Sequence, residues 1–436
     1  MAFETREIPG QHRAEKLHWV RNTFLALLVA GGLCCAVLVT WLLRPLLPPE
    51  SPDLTARRQS PDNAYPVLCE ALKLFPEKPA PLKVQDKENY KPARDSMGRR
   101  LGIARPDDDP LLLDYLAKCE PVVQKTREAL ERPYCLFPDG IMQDGSGLFG
   151  PLLSESALFK FSALGGLLGA RAIEAFQLRK DMHEAQKYAF DLLRLGVLLD
   201  DDVMLQLGEG MIEGTVGYLI PHLREAPEDV LRSSLASCRR LRESLRPPAE
   251  SVEFAVRVVG NMGHKEDDWF LRLVSFAFGA RIRVSTIRSA RTLKEILEAA
   301  ALPYPEYERR MGLHPVSASP GIRGIDLKNI ADMIVLSAGQ RETLLAGLET
   351  GIALELYKQG QGRYPDTLDD LKTVTPEGAP LDPLSGHPFI YRSNGVSDYT
   401  LYSVGPDLKD DGGDAEKDCV LSHVSPDEST THSELH

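Results

Sequence analysis

The sequence lacks the short motifs that mark the most familiar classes of enzyme. It contains no P-loop, no GxSxG, no HExxH and no complete Rossmann fingerprint, the patterns that position a phosphate, an activated serine, a zinc ion or a dinucleotide. Titratable groups concentrate at residues 264–268, where a solvated turn between helices is the simpler interpretation. The sequence therefore favours a protein that is not an enzyme. The alternative is an exported hydrolase built around Glu253, His264 and Asp267.

The chain also lacks an excess of positive charge. Its 51 Lys and Arg against 63 Asp and Glu give a formal net charge of -12. Between residues 403 and 436 there are nine acidic residues and two basic ones. Because nucleic-acid binding needs a basic surface against the phosphates, we expect no nucleic-acid partner. The hydrophobic content of 43% is that of a globular protein.

Cysteine is scarce and scattered along the chain. Two of the seven cysteines lie in an apolar segment, and the other five form no CxxC pair and have no histidine at ligand spacing. This pattern argues against a zinc site or a disulfide framework. Isolated apolar thiols are the simpler interpretation. One bridge, between Cys119 and Cys135, stays open if this part of the chain lies in an oxidising compartment.

A long apolar run near the N-terminus predicts a membrane anchor. Residues 23–43 are uncharged and mostly apolar, and at 1.5 Å per residue a helix of this length just spans a hydrocarbon core of about 30 Å. Trp19 and Trp41 lie near its two ends, where amphipathic rings prefer to sit. The run ends without a small-residue cleavage site, which favours an uncleaved anchor over a signal peptide. A buried core helix is the alternative.

The flanking charges give the orientation of this anchor. Four basic residues precede the span within residues 1–22, and three follow it within about 20 residues. We therefore expect a cytoplasmic N-terminus at 1–22 and an inner-membrane protein crossing once. Membrane lipid would contact residues 23–43, and the bulk of the chain would be periplasmic or otherwise extracytoplasmic.

The rest of the chain is predicted to be mainly α. A proline-rich tether at 44–61 leads into a helical domain at 62–326, where apolar residues recur at helical spacing over 110–132, 154–178, 182–199 and 226–246. The rhythm of helix, tight turn and helix predicts antiparallel helical hairpins and has a weak likeness to tetratricopeptide scaffolds. Pro and Gly are frequent at 302–326, which we interpret as a domain boundary.

The pattern changes in a C-terminal module at 327–420, followed by a predicted disordered acidic tail at 421–436. Residues 327–359 predict one long helix that ends at Gly360 and Gly362. Residues 389–392 and 399–404 alternate in the manner of strands, with a Ser-Asn-Gly turn at 393–395 between them. These features predict a small α+β module containing a short β-hairpin.

Three short motifs follow this helix in order: G-R-Y-P-x-x-L-x-x-L, D-P-x-x-G-x-P-x-x-Y and Y-x-L-x-S-x-G-x-D. Together with the helix they resemble the globular end of the major pseudopilin of type II secretion systems, the protein G family, over residues 344–418. The resemblance implies a bacterial source, a pseudopilin-like fold for the module, and protein partners in a secretion or pilus-like assembly.

In that family the final loop binds calcium through backbone carbonyls and aspartates. Carried over to this chain, the implied ligands are Asp407, Asp410, Asp411, Asp414 and Asp418. The composition of residues 407–418 agrees, because calcium takes six to eight hard oxygens from a flexible loop. Lysine at the third position and aspartate at the eighth do not fit an EF-hand. A solvated acidic loop that binds nothing is the alternative.

The chain departs from the family at its N-terminus. Gly10 is followed by Gln11-His12-Arg13 rather than by an apolar run, and nearly 300 residues separate the membrane segment from the module. We therefore do not expect it to be processed or polymerised as a pilin subunit. The predicted function is a membrane-anchored scaffold or interaction protein with a calcium-stabilised head, associated with a type II secretion or pilus-like system. A structural envelope protein is a further alternative.

Overall fold

Helices dominate the described part of the chain, and a small antiparallel sheet lies near the C-terminus, as the sequence predicts. The structure is a computed structural model that describes residues 52–77, 110–136, 155–199, 205–253, 294–313, 327–415 and 417–421. The predicted N-terminus at 1–22, the membrane segment at 23–43 and the tail beyond Leu421 lie outside these residues. Among the helices that are described, none combines the length and the apolar character needed to cross a bilayer.

The helices, in chain order, are α1 Pro52–Gln59, α2 Ala64–Lys73, α3 Pro110–Lys118, α4 Glu120–Leu130, α5 Glu155–Ile173, α6 Met182–Leu199, α7 Leu205–His222, α8 Glu228–Glu243, α9 Tyr304–Leu313 and α10 Leu327–Gln361. Three short elements add to them: a π-helical end to α5 at Glu174–Leu178, and 3-10 turns at Leu223–Glu225 and Leu368–Thr373. Residues 248–253 and 294–300 are also helical. The strands are β1 Ile390–Ser393, β2 Tyr399–Ser403 and β3 Cys419–Val420.

Helix α6 separates two hydrophobic clusters. Its Ala189, Leu193 and Val197 pack into a cluster with α7, α8, α10 and the sheet. Its Tyr188 and Leu192 pack into the other, with α2, α4 and α5. A helix that is apolar on opposite faces is buried on both, which is why α6 lies at the centre of the helical region.

Helix α10 carries the C-terminal module and also packs against the helical region. Its apolar residues from Leu344 to Leu356 share one core with α7, α8 and the sheet. The backbone N–H of Gly362, with φ of 74°, donates to the carbonyl of Lys358 at 2.7 Å and ends the helix. The sheet order is β1-β2-β3, with Ile390 opposite Tyr402 and Ser403 opposite Cys419.

Prolines explain three differences from the sequence prediction. The helix predicted over 110–132 is divided at Cys119, because Pro121 in the first turn of α4 has no N–H for the preceding helix. Helix α1 lies within the predicted tether, and α9 lies within the predicted boundary at 302–326. Pro52 and Pro305 occupy the first turns of these helices, where proline is tolerated, so the prolines begin helices instead of preventing them.

Candidate functional site

The acidic loop between β2 and β3 contains the five aspartates that the sequence predicts as calcium ligands: Asp407, Asp410, Asp411, Asp414 and Asp418. Its backbone turns sharply through positive φ values at Leu408 (57°), Gly412 (81°) and Gly413 (88°). Glycine adopts such angles without a Cβ clash, whereas leucine does so rarely. The turns bring the end of the loop back toward its beginning.

Asp407 and Asp410 direct their carboxylates to donors in the loop and in the adjoining strand β2. Asp410 Oδ1 accepts hydrogen bonds from Tyr402 Oη at 2.8 Å and from the backbone N–H of Gly412 at 2.9 Å. These two donors hold the pKa of Asp410 below its usual range. Asp407 Oδ1 accepts from the backbone N–H of Lys409 at 3.0 Å. Both side chains therefore shape the loop with oxygens that a metal would otherwise use.

Asp411 and Asp418 each keep a buried carboxylate oxygen that has no donor among the described residues. Asp418 is only 5% exposed; its Oδ2 accepts from the Gly413 N–H at 2.7 Å, while Oδ1 is left without a donor. Asp411 Oδ1 accepts from Lys417 Nζ at 3.0 Å, and its Oδ2 is left without one. A buried anionic oxygen without a donor costs free energy, and a hard cation such as calcium would offset that cost.

Asp414 contributes to the loop through its backbone. Its carbonyl accepts from the N–H groups of Lys417 at 2.9 Å and Asp418 at 2.7 Å. Within the described residues, no group of three or more His, Cys, Asp or Glu side chains is arranged to hold a metal ion. A calcium ion here would therefore take Asp411 Oδ2 and Asp418 Oδ1 as its carboxylate ligands and draw its remaining oxygens from the loop backbone and water.

A buried aspartate outside the loop fixes the strand from which the loop departs. Asp382 is 1% exposed. Its Oδ1 accepts from Thr343 Oγ1 and the Leu384 N–H, both at 3.1 Å. Its Oδ2 accepts from Ser385 Oγ at 2.7 Å and Ser403 Oγ at 2.9 Å. The four bonds satisfy the carboxylate and tie α10, the D-P-x-x-G turn and the end of β2 together.

Gly405 closes the loop at its base. Its φ is 68°, and a Cβ at this position would overlap the carbonyl oxygen of Lys417. Its N–H donates to Ser403 Oγ at 3.2 Å. The S-x-G portion of the third motif is thus explained by a close approach of two backbone segments, which only glycine permits.

A second concentration of charge lines a cavity of about 440 Å³ between α8, α10 and the turn at residues 377–380. The carboxylate of Glu349, buried in α10, accepts from Arg239 Nε at 2.8 Å and from Arg242 Nη1 at 2.5 Å. Arg239 Nη1 also pairs with the exposed Glu377 at 3.1 Å. The cavity wall is therefore a guanidinium pair held in place by a buried carboxylate.

A third charged cluster joins the helical domain to the C-terminal module, called the head below. The carboxylate of Glu355 accepts from Tyr364 Oη at 2.7 Å, and Arg224 lies 3.9 Å from it while also pairing with Asp398. Burial raises the pKa of Glu355, although the Tyr364 hydroxyl and nearby Lys358 oppose the shift. The tyrosine of the G-R-Y-P motif is thus placed against a buried acid.

The sequence offered no signal for the pairing of Glu349 and Glu355, because their arginine partners lie more than 100 residues away along the chain. Of the three residues named for a hydrolase, Glu253 is described and exposed. His264 and Asp267 lie outside the described residues. Cys119 and Cys135 are both buried and form no disulfide with each other, and burial raises the pKa of Cys119.

Comparison with known proteins gives no relative. No protein-family model, no curated protein and no solved structure matches this chain. The geometry of the described residues is therefore the basis for assigning a function.

Proposed function

We propose that this chain is a membrane-anchored scaffold or interaction protein whose C-terminal module is a calcium-stabilised, pseudopilin-like head. The observation that carries the calcium assignment is the pair of buried carboxylate oxygens, Asp411 Oδ2 and Asp418 Oδ1, that have no donors among the described residues. The ion would join the middle of the loop, at Asp411, to its end at Asp418, which directly precedes β3.

The scaffold role is supported by the way the head is mounted. Helix α10, the 35-residue helix of the module, packs directly against the helical domain, because its apolar second half is covered by α7 and α8 as well as by the sheet. The Arg224 pairs with Asp398 and Glu355 add a charged contact between the regions. A head held by a shared core is presented to a partner in a fixed orientation, at little cost in conformational entropy on binding.

The sequence supports the proposed location. The anchor at 23–43 and the basic residues before it support a single-pass inner-membrane protein with the bulk of the chain outside the cytoplasm. Calcium in a loop of this type is also better suited to an extracytoplasmic site, where the free ion is abundant enough to fill sites of modest affinity. The proposed partners are proteins of a secretion or pilus-like assembly.

Calcium titration of the full-length protein, purified in detergent, tests the head. Binding to the native state raises stability by about 2.7 kcal/mol when free calcium is 100 times Kd. We expect the melting temperature of the wild type to rise with the logarithm of calcium concentration. Asp411→Asn/Asp418→Asn should lose this rise. The matched control Asp407→Asn/Asp410→Asn removes the same charge from the same loop and should keep most of it.

The possible outcomes distinguish specific calcium binding from nonspecific screening of charge and from no binding. A rise that both double variants lose equally would point to nonspecific screening of an acidic loop. No rise at millimolar calcium would leave the loop without a ligand. The scaffold role has its own test, because affinity purification of the tagged protein from detergent-solubilised membranes should recover a specific partner, and recovery of none would remove its main support.

A further inference from the structure

Helix α1 is the first described element after the proposed membrane anchor. Only residues 44–51 separate the anchor at 23–43 from α1, which begins at Pro52. Because an extended chain advances at most about 3.6 Å per residue, these eight residues can reach across about 30 Å at most. Helix α1 is therefore kept close to the bilayer, and this conclusion rests on the anchor of the proposed function.

Hydrogen bonds fasten α1 to the helical domain. Asn63, which is 2% exposed, donates from Nδ2 to the carbonyls of Arg58 at 3.0 Å and Leu136 at 2.8 Å. Its Oδ1 accepts from the Leu136 N–H at 2.8 Å. Tyr134 Oη donates to the carbonyl of Arg57 at 3.2 Å. The end of α1 is thus held against the segment that follows α4, and the face that carries both is the one to which the anchor is attached.

This face carries four arginines around one aromatic ring. The guanidinium group of Arg57 lies 4.8 Å from the ring centroid of Tyr134, and that of Arg246 lies 5.4 Å from it. Two charges this close act together, since the Debye length is about 8–10 Å at physiological salt. Arg58 is the next residue of α1, and Arg132 lies two residues before the tyrosine. All four arginines are partly exposed, so this arginine cluster is accessible at the surface.

Guanidinium groups beside a bilayer are suited to the phosphates of its lipids. A planar guanidinium binds phosphate oxygens through paired N–H donors, and each basic residue near an anionic lipid surface strengthens the attraction about fivefold. Glu128 lies 3.9 Å from Arg132 and reduces the charge on that side of the cluster, although it also pairs with Lys125 at 2.9 Å. A weak contact is sufficient here, because the short connection to the anchor raises the effective concentration of the lipid.

We propose that the arginine cluster binds the headgroups of anionic phospholipids in the bilayer that holds the anchor. The contact would hold the face that carries α1 against the membrane, so that the helical domain is oriented by two attachments instead of one. The surface is separate from the acidic loop and does not rest on calcium binding.

Hydrogen exchange of the full-length protein in lipid nanodiscs tests this surface. One set of discs contains phosphatidylcholine alone, and the other also contains phosphatidylglycerol. Because lipid binding to folded α1 opposes its local opening, we expect the amides of α1 to exchange at least about fivefold more slowly in the anionic discs. Equal exchange in the two lipids would overturn the proposal. So would a difference that survives about 1 M salt, where the Debye length is only about 3 Å.

Substitution locates the contact. Arg57→Gln/Arg58→Gln should lose the difference between the two lipids, whereas Arg57→Lys/Arg58→Lys keeps both charges and should retain most of it. Arg309→Gln/Arg310→Gln removes an adjacent pair of arginines from another short helix, α9, and should behave as the wild type. Each variant is compared with itself in two lipids, so any loosening of α1 by the substitution cancels. Loss of the difference in the α9 variant, or its persistence in Arg57→Gln/Arg58→Gln, would overturn the proposal.

The anchor has a separate readout. Flotation of the protein with phosphatidylcholine vesicles at high salt tests residues 23–43 alone, because neutral lipid offers the arginine cluster no net charge. A protein that floats but shows no lipid-dependent exchange would keep its anchor and refute the lipid contact. A protein that does not float would lose the anchor, and the inference with it.

Discussion

Substitution of Gly405 by alanine should destabilise the head far more than the same change at another glycine of similar backbone conformation. Gly395, in the β1–β2 turn, has φ of 89°, and a Cβ there would meet nothing within 4 Å. A Cβ at Gly405, with φ of 68°, would overlap the backbone of Lys417. Both changes incur left-handed strain of about 1 kcal/mol, but only Gly405→Ala also forces two backbone segments apart.

The size of the additional effect follows from the bonds that the separation would break. Moving residues 417–418 disrupts the Asp418 N–H to Asp414 carbonyl bond and the Gly413 N–H to Asp418 Oδ2 bond, each 2.7 Å long. It also weakens the pairing of Ser403 with Cys419. At about 0.5–1.5 kcal/mol for each bond, Gly405→Ala should lose about 3 kcal/mol in total, against about 1 kcal/mol for the control.

Urea unfolding followed by circular dichroism measures the two losses, and hydrogen exchange of peptides covering 399–421 shows where they arise. We expect faster exchange in the loop and β3 only for Gly405→Ala. That variant should also bind calcium more weakly than the Gly395→Ala control, because its loop is opened. If the two variants were equally stable and exchanged equally, the close approach at the base of the loop would not be holding it closed.

Three further predictions concern the interior of helix α10. Glu349→Gln should lose about 2 kcal/mol in urea unfolding, because two half-buried guanidinium groups lose their shared carboxylate, whereas Glu342→Gln on the exposed side should change little; equal effects would contradict the role of the buried pair. Burial raises the folded-state pKa of Glu355. Its stabilising contribution is therefore complete below the unfolded pKa of about 4.3 and is lost as pH rises through the folded value, so the stability of wild type relative to Glu355→Gln should grow as pH is lowered from about 7 toward about 4.3. A stability difference that does not change with pH would refute this. Gly347→Ala should destabilise by about 1–2 kcal/mol, since its Cβ would displace the buried side chain of Leu421. Gly360→Ala, where a Cβ would meet nothing within 4 Å, should stabilise by up to about 1 kcal/mol. Melting temperatures that change in the same direction in both variants would contradict this.

The sequence predicted best those elements whose signals are local. Helix α6 has the predicted bounds of 182–199 because its apolar residues recur over the whole length. The hairpin of β1 and β2 was equally accessible, since the alternating residues and the Asn-Gly turn are adjacent in the chain. Strand β3 has only two residues, too few for an alternating pattern, so it could not be predicted.

The charged sites show a similar limit. The acidic loop is contiguous and could be found from composition, but which aspartates retain free oxygens depends on Tyr402, Lys417 and the loop glycines. The guanidinium wall of the cavity was not foreseeable at all. Arg239 and Glu349 lie on different helices, 110 residues apart. In the sequence each looks like an ordinary charged residue on a helix surface, and only the packing of α8 against α10 brings them together.

The continuity of α10 has a mechanical consequence. A module joined to its support by a loop can rotate, and tension on it first extends the joining segment. Here the long helix of the C-terminal module shares one core with α7 and α8 of the helical domain, so tension applied at the sheet acts along a hydrogen-bonded helix and against packed side chains. Such a junction transmits displacement instead of absorbing it, and it would yield by cooperative unfolding of α10 together with α7 and α8.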